Sequence, residues 1–274
     1  MVRKVGGIFK WVYLALTLIF LYAPIAVLII FSFTDSKTMS KWNGFTLSAY
    51  RDMFNDAALM QALKVTLIVA IVSSIAATII GTTAAIGINS MKRRRRLAIE
   101  NISQLPMINP DLVTGISLMM LFSVVGLSSK LGYLRLILAH TTFNIPYVMF
   151  SVLPKLRQSS NLLYEAALDL GCKPTQALWK VVLPDIMPGV ISGFIMAFTL
   201  SIDDFVISWF VADGVQNLSI YIYGLAKRGI STKINAFSAL MFVVVVTLLL
   251  IVNIRSMRQD KIDAAQRKKV AKTN

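Results

Sequence analysis

The sequence contains few of the residues on which soluble enzymes depend. Only 15% of its 274 residues are charged, and it has one cysteine, Cys172, and one histidine, His140. A single cysteine excludes an intrachain disulfide, and no histidine lies near it in sequence to activate a thiol. His140 falls in an apolar run, which favours a hydrogen-bonded core residue over a ligand. We therefore predict neither a catalytic residue nor a metal site on this chain.

Motifs for nucleotide binding and hydrolysis are also missing. The chain has no G-x-x-x-x-G-K-[ST] loop, so it cannot cradle nucleotide phosphates itself. It has neither H-E-x-x-H nor G-x-S-x-G, which disfavours a membrane-embedded enzyme. The net charge of +15 could suggest nucleic acid, but basic residues that orient membrane helices and meet anionic lipid explain it better. We expect no cofactor and no nucleic acid on this chain.

Long apolar runs are what the sequence has in place of these features. Hydrophobic residues make up 56% of the chain, and runs of about 20 residues recur, each long enough to cross a hydrocarbon core of about 30 Å. Alternating strands are absent, so the runs are predicted to be helices. The fold class is therefore an all-α polytopic membrane protein, one transmembrane domain over residues 1–274 with a core at about 60–255. Six spans are expected, at Trp11–Phe33, Leu63–Ile88, Leu112–Leu127, Tyr133–Leu153, Ile186–Phe210 and Phe237–Ile254.

The first and second spans carry further information. The first, residues 11–33, is longer than the apolar part of a signal peptide (about 7–15 residues) and no small-x-small cleavage site follows, so we expect an uncleaved helix. The second has a small residue at every fourth position, which predicts close packing against another helix and no chemistry. These small residues are Ser73, Ala77, Gly81 and Ala85.

Lysine and arginine are distributed unevenly between the two sides of the predicted membrane. With the N-terminus inside, the inner segments hold 19 of the 28 basic residues, and the outer segments together with the span ends hold the remaining 9. Cytoplasmic segments are the ones enriched in lysine and arginine. We therefore expect both termini, the basic tail 255–274 and the segment around 165–184 to lie in the cytosol, with the protein in the cell membrane.

A polar hairpin interrupts the apolar sequence at "EAALDLGCKPTQALWKVVLP", residues 165–184. Its first half has helical spacing, Gly171 suits the left-handed position after a helix, and Pro174 suits the first position of a second helix. Ala166 and Ala167 are small, so a partner could approach closely. Glu165 and Asp169 share a face and cannot both be buried unpaired, so a solvated loop is the alternative.

The spacing of this hairpin resembles the signature loop of ATP-binding-cassette importer permeases. The pattern is Glu-Ala-Ala, three residues, Gly, nine residues, an aliphatic residue, one residue and Leu-Pro. The resemblance implies a coupling helix that sits in a groove of a cytosolic ATPase subunit. It assigns contact and turn roles to Glu165, Ala166, Ala167 and Gly171, with Asp169 on the same helix. One departure is Lys173 before the proline, where relatives often have threonine, so the second helix is expected to be capped less well.

Other stretches extend the resemblance over nearly the whole chain. "LYAPIAVLIIFSF", "NPDLVTGISLMMLF" and "FTLSIDDFVISWFV" together are similar to a permease subunit of spermidine/putrescine importers. The resemblance implies a polyamine importer with a second homologous permease, two ATPase subunits that use ATP and Mg, and an extracytoplasmic solute-binding protein.

Two adjacent carboxylates, Asp203 and Asp204, lie deep in the fifth predicted span. A charge at mid-membrane costs roughly 2.5–3.5 kcal/mol, so such residues face a cavity, a partner charge or a pathway. We predict a substrate pathway for cationic amines here, and a structural pair is the alternative. Asp111, beside Pro106 and Pro110 in an interrupted third span, is a second candidate. Three aromatic residues are predicted to offer ring faces to an amine, namely Tyr147, Phe143 and Trp209.

Other functions remain open from the sequence alone. A permease of the same superfamily could carry an aminophosphonate, ferric ion or an oxyanion. An ion-coupled transporter acting alone would explain the buried carboxylates but not the coupling hairpin. The sequence does not distinguish which of Asp203 and Asp204 faces the pathway, or how much of the site a partner permease supplies.

Overall fold

The computed structural model describes residues 2–34, 42, 44–127, 131–158, 161–228, 232–243 and 246–247, without the side chains of 2–9 and 161–163. These residues form helices and include no strand, which confirms the predicted all-α class. A π-helical turn spans Leu178–Val182. The helices are α1 (Val2–Phe31), α2 (Ser48–Phe54), α3 (Ala57–Asn89), α4 (Arg93–Ile108), α5 (Asp111–Val124), α6 (Gly132–Gln158), α7 (Asn161–Asp169), α8 (Pro174–Ala177), α9 (Leu183–Asp203), α10 (Val206–Val211), α11 (Leu218–Lys227) and α12 (Thr232–Val243).

Four helices in the described part of the chain are long and apolar enough to cross a membrane, at Lys10–Phe31, Ala57–Asn89, Gly132–Gln158 and Pro174–Asp203. A fifth span results if α4 and α5, which meet at a bend of 100°, are counted as one broken span. Helices are thus confirmed at the first, second and fourth predicted spans, and so is the break in the third. The sixth prediction, Phe237–Ile254, begins in α12 and otherwise lies outside the described residues.

The bend between α4 and α5 follows from two adjacent residues. Asn109 is extended (φ −71°, ψ 136°), as a residue before proline prefers. Pro110 is extended as well and stands directly before α5. The Pro110 carbonyl then accepts the first hydrogen bonds of α5, from Val113 and Thr114. The helix therefore restarts in a new direction.

The prediction of one continuous fifth span over Ile186–Phe210 is wrong. α9 stops at Asp203 and α10 starts at Val206. In an unbroken helix, the N–H groups of Ile207 and Ser208 would bond to carbonyls four residues back. The Asp204 side chain accepts from both of them instead. A side-chain acceptor has therefore replaced two bonds of the helix.

The chain forms two compact units, residues 1–57 with 224–274 and residues 58–223. In the first unit, the end of α1 is held by Ser32, whose hydroxyl lies 2.8 Å from the hydroxyl of Tyr50. The Phe33 ring packs on those of Phe45 and Tyr50, each 5.3 Å away between centroids. Lys233 of α12 pairs with Asp56 at 3.3 Å. That residues 1–274 act as one transmembrane domain stays a prediction.

The core of the second unit depends on close approach between α3, α6 and α9. A Cβ on Gly81 of α3 would lie 2.8 Å from Val148 Cβ on α6, and one on Gly193 of α9 would lie 3.1 Å from Val148 Cγ1. Both contacts are shorter than ordinary van der Waals separation, so glycine is what lets the helices meet. The predicted stripe of small residues on α3 is buried and packs against α6, as expected.

The two glycines of α3 give a matched test of this packing. Gly81→Ala places its methyl group against Val148 and the carbonyl of Ile145, so we expect a loss of about 1–3 kcal/mol of stability from overpacking. Gly87→Ala, in the same helix with nothing within 4 Å of its Cβ, should be neutral or stabilising by up to about 1 kcal/mol. Thermal unfolding in detergent, followed by circular dichroism, measures both. Equal midpoints for the two variants would contradict the packing described.

Candidate functional site

The site begins where the fifth helix breaks at two adjacent carboxylates. α9 ends at Asp203, and the backbone is extended at Asp204, with ψ of 123°. The Asp204 carboxylate accepts hydrogen bonds from the backbone N–H groups of Ile207 (3.1 Å) and Ser208 (2.8 Å). A helix start otherwise leaves such donors without partners. Asp204 therefore ends one helix and caps the next.

A buried polar network holds Asp204 in this position. The Ser208 hydroxyl donates to Asp204 Oδ2 at 2.8 Å, and the Asn217 side chain donates to Ser208 Oγ at 2.8 Å. His140 Nε2 lies 3.0 Å from Ser208 Oγ and 3.4 Å from Asp204 Oδ2. The side chains of His140 and Asp204 are only 3% and 8% exposed. The prediction of His140 as a hydrogen-bonded core residue is confirmed.

Asp203 differs from its neighbour in each of these respects. Its side chain is exposed, and it forms no hydrogen bond or ion pair with any residue that the structure describes. It stands at the C-terminal end of α9, where the helix dipole disfavours a negative charge. Of the two predicted pathway carboxylates, Asp203 is thus open to a cation, whereas Asp204 is committed to the fold. Pathway roles for both remain predictions.

Aromatic rings lie next to this break. Trp209, which is 48% exposed, packs against Phe205 and Tyr223 with ring centroids 5.6 and 5.4 Å away. Phe205 and Tyr223 are in contact as well, at 4.7 Å. We name these three residues the aromatic cluster. The sequence singled out only Trp209, although Phe205 four residues earlier carries a helical-spacing signal. No local pattern indicated Tyr223.

The three other predicted pathway residues lie on α5 and α6. Phe143 and Tyr147, one turn apart on α6, have ring centroids 5.2 Å apart. Asp111 is an exposed residue at the start of α5. Phe143 is largely buried and also borders a groove of about 620 Å³ at the bend between α4 and α5. Their part in a pathway stays a prediction.

Trp209 also lines a cavity of about 830 Å³. It is bordered by an ion pair that the sequence did not indicate, between Arg135 Nη1 and Asp213 Oδ2 at 2.5 Å. Arg135 is buried and also faces the Phe122 ring, 5.7 Å from its centroid. Asp213 has a φ of +42°, an uncommon conformation outside glycine. The pair therefore fixes the turn that follows α10.

The hairpin at residues 165–184 has the geometry that its sequence predicts. α7 ends in a Schellman motif, with Gly171 N–H bonded to the Leu168 carbonyl (2.8 Å) and Cys172 N–H to the Ala167 carbonyl (3.0 Å). Gly171 has a φ of +85°, so the left-handed glycine is confirmed. Pro174 is the first residue of α8, also as predicted.

The cap of α8 differs from the expectation for Lys173. The Lys173 side chain makes no capping bond, but its backbone N–H donates to the side-chain oxygen of Gln176 at 3.2 Å. This is half of a capping box. The helix start is thus stabilised by the third residue after the cap rather than by the cap residue. The capping role of Gln176 was not predicted, because only the residue at the cap position was considered.

The hairpin presents a mixed surface. Glu165, Ala166 and Asp169 are exposed, whereas Ala167 is buried within the chain. Two large apolar side chains stand out beside them, Leu170 at 86% and Trp179 at 67% exposure. An exposed tryptophan with polar residues around it is suited to a protein partner, because interfaces are enriched in aromatic residues and have a polar rim. The contact roles predicted for these residues are not tested by the structure.

No set of three or more histidine, cysteine or carboxylate side chains that could hold a metal occurs within the described ranges.

Known proteins resemble this chain in sequence and in fold. The family described as "Binding-protein-dependent transport system inner membrane component" matches residues 77–262. The spermidine/putrescine transport system permease protein PotC of Haemophilus influenzae is 35% identical over 233 residues, 85% of this chain and 90% of that protein. The putrescine transport system permease protein PotI of Escherichia coli is 37% identical over 235 residues, 84% of each.

A solved structure shares the fold. A chain of a bacterial ABC transporter involved in the import of the acidic polysaccharide alginate superposes with a TM-score of 0.71 at 15% identity, covering 91% of this chain and 96% of that one.

Alanine substitution at the two adjacent carboxylates should change the stability of the protein by different amounts. Asp204→Ala removes the cap of α10 and leaves Ser208 and His140 short of a partner, so we expect a loss of about 2 kcal/mol or more in stability. Asp203→Ala, at the neighbouring exposed position, should stay within about 0.5 kcal/mol of the parent. Thermal unfolding in the same detergent measures the difference. A destabilisation of equal size in both variants would show that Asp204 is not the residue that holds the break.

Proposed function

We propose that this chain, which belongs to the family of binding-protein-dependent transport system inner membrane components, is the permease subunit of an ATP-driven importer of polyamines. The observation that carries the substrate class is the similarity to spermidine/putrescine and putrescine permeases over more than four fifths of the chain. These relatives are transport subunits rather than enzymes, so the reaction is the passage of a solute across the inner membrane.

The broken fifth helix supports a cationic substrate. Asp203 has no partner among the described residues, and a carboxylate and an ammonium 4 Å apart attract by about 4 kcal/mol at an effective dielectric constant near 20. The aromatic cluster next in the chain adds ring faces, each worth about 0.5–2 kcal/mol to a desolvated cation. In this proposal Asp203 attracts an amine, and Trp209 with its neighbours surrounds the methylene segments.

Energy for transport comes from other subunits in this proposal. The exposed side of α7 and α8, with Glu165, Ala166 and Asp169, docks onto a cytosolic ATPase that binds ATP and Mg. The complete importer contains two such ATPases, a second homologous permease and an extracytoplasmic solute-binding protein. The termini and the hairpin face the cytosol, which the excess of basic residues in the inner segments supports.

The substrate assignment predicts that the charge of Asp203 matters. Asp203→Asn keeps the shape of the side chain, and uptake of labelled putrescine or spermidine should fall at least about tenfold because about 1.4 kcal/mol or more of attraction is lost. Asp203→Glu keeps the charge and should retain much more uptake. Uptake is measured in vesicles and normalised to assembled complex.

A matched control removes the same charge elsewhere. Asp52→Asn, at an exposed position of α2, should leave uptake near the parent value. Parent-like uptake in Asp203→Asn would remove the charge-recognition hypothesis, and a fall of the same size in Asp52→Asn would attribute the effect to net charge.

The coupling role predicts a graded series at Gly171. A Cβ there meets nothing within 4 Å, so only the positive φ restricts substitution. Asparagine tolerates this conformation, whereas a β-branched residue costs roughly 1–2 kcal/mol or more. Gly171→Val should therefore abolish uptake and weaken ATPase association with the chain still inserted, and Gly171→Asn should retain most of both. Substrate-stimulated ATP hydrolysis that survives Gly171→Val in an assembled complex would reject the hairpin as the coupling element.

A further inference from the structure

The turn between α3 and α4 concentrates positive charge without neutralising it. Lys92–Arg96 are five consecutive basic residues, and no acidic residue occurs between Ser90 and Ile99. The first carboxylate, Glu100, is buried and bonds to Arg157 at 2.5 Å, with Arg96 at 3.9 Å. In the described ranges, the other four basic side chains have no ion-pair partner.

A cavity of about 530 Å³ lies within this turn. Two of the unpaired cations, Lys92 and Arg95, line it. The remaining walls are a hydroxyl and small or apolar side chains, from Ser90, Met91, Ala98 and Ile99. A site of this composition suits a molecule with an anionic end and an apolar end.

The face of α4 next to this cavity continues as an apolar stripe. At 100° per residue, Arg95, Ala98, Ile102 and Leu105 lie on the side of α4 opposite Glu100. Glu100, on the opposite side, attaches α4 to the end of α6, and at its far end the stripe reaches the groove at the bend, which Leu105 lines. Ile102 and Leu105 are 64% and 61% exposed. The charged cavity and the apolar stripe therefore form one continuous surface.

The start of α4 also favours a bound anion. Helix N-termini attract negative charge, yet the first turn of this 16-residue helix has no acidic residue and its cap residue, Lys92, makes no side-chain bond. Positive side chains at the positive end of a helix are destabilising unless a counter-charge is present.

We propose that this turn binds the headgroup phosphate of an anionic phospholipid. Lys92 and Arg95 contact the phosphate, and one acyl chain lies along Ala98, Ile102 and Leu105. Because α4 and α5 meet at a bend of 100°, α4 lies along the membrane surface when α5 stands upright in the bilayer, and the proposal places the cavity at headgroup depth. Basic segments at this depth favour anionic over zwitterionic lipid.

Lipid titration of the purified full-length chain tests the proposal. Phosphatidylglycerol, or phosphatidylcholine with the same acyl chains, is added in mild detergent and bound lipid is counted by native mass spectrometry. The parent chain should bind phosphatidylglycerol more tightly by at least about tenfold, as two surface cations allow. The double variant Lys92→Gln/Arg95→Gln should lose this preference. The double variant Arg93→Gln/Arg94→Gln removes the same charge beside the cavity and should keep it.

Three outcomes would overturn the proposal. An equal loss in both double variants would show a diffuse charge effect without a site. Displacement of the lipid by inorganic phosphate, at ionic strength matched with chloride, would show a small-anion site. Loss of phosphatidylglycerol binding in the complex assembled with the second permease would show that this face is covered by protein. Retention in that complex, with loss only in Lys92→Gln/Arg95→Gln, would establish the lipid site.

Discussion

The fold around the candidate site depends on satisfying one carboxylate inside an apolar protein. Asp204 cannot remain charged in these surroundings without donors, and it obtains them from the backbone of Ile207 and Ser208 and from the Ser208 hydroxyl. Those bonds are available only if α9 stops. The break therefore follows from the burial of Asp204, and the exposure of Asp203 follows from the break. The aromatic cluster begins with the next residue, Phe205, so its placement has the same origin.

Local features of the site could be predicted from the sequence because short-range chemistry determines them. Gly171 and Pro174 specify a helix end and a helix start with no help from the rest of the protein, and the structure has both. The packing role of the small-residue stripe on α3 was predicted for a similar reason, because close helix packing requires small residues at regular intervals in the sequence. His140 was placed correctly by the apolarity of its neighbours alone.

Features that depend on distant partners could not be predicted. The ion pair of Arg135 and Asp213 joins residues 78 positions apart. Asn217 donates to Ser208 across a turn that no sequence motif predicts. The prediction of a single span at Ile186–Phe210 was wrong because hydropathy is averaged over a window of residues. A helix break depends instead on the hydrogen bonds that one side chain accepts. The two carboxylates looked equivalent in sequence, and only their hydrogen bonds separate them.

The π-helical turn at Leu178–Val182 restricts where the chain can gain or lose a residue. Such a turn holds one residue more than an α-helical turn, so it corresponds to a single-residue insertion retained within a helix. Pro184, which cannot donate to the carbonyl of Lys180, favours the irregularity at this place. Loss of one residue here would restore regular winding and rotate α9, up to Asp203, by about 100° relative to α7 and α8. Selection on length is therefore expected to be strictest at Leu178–Val182, between α8 and α9.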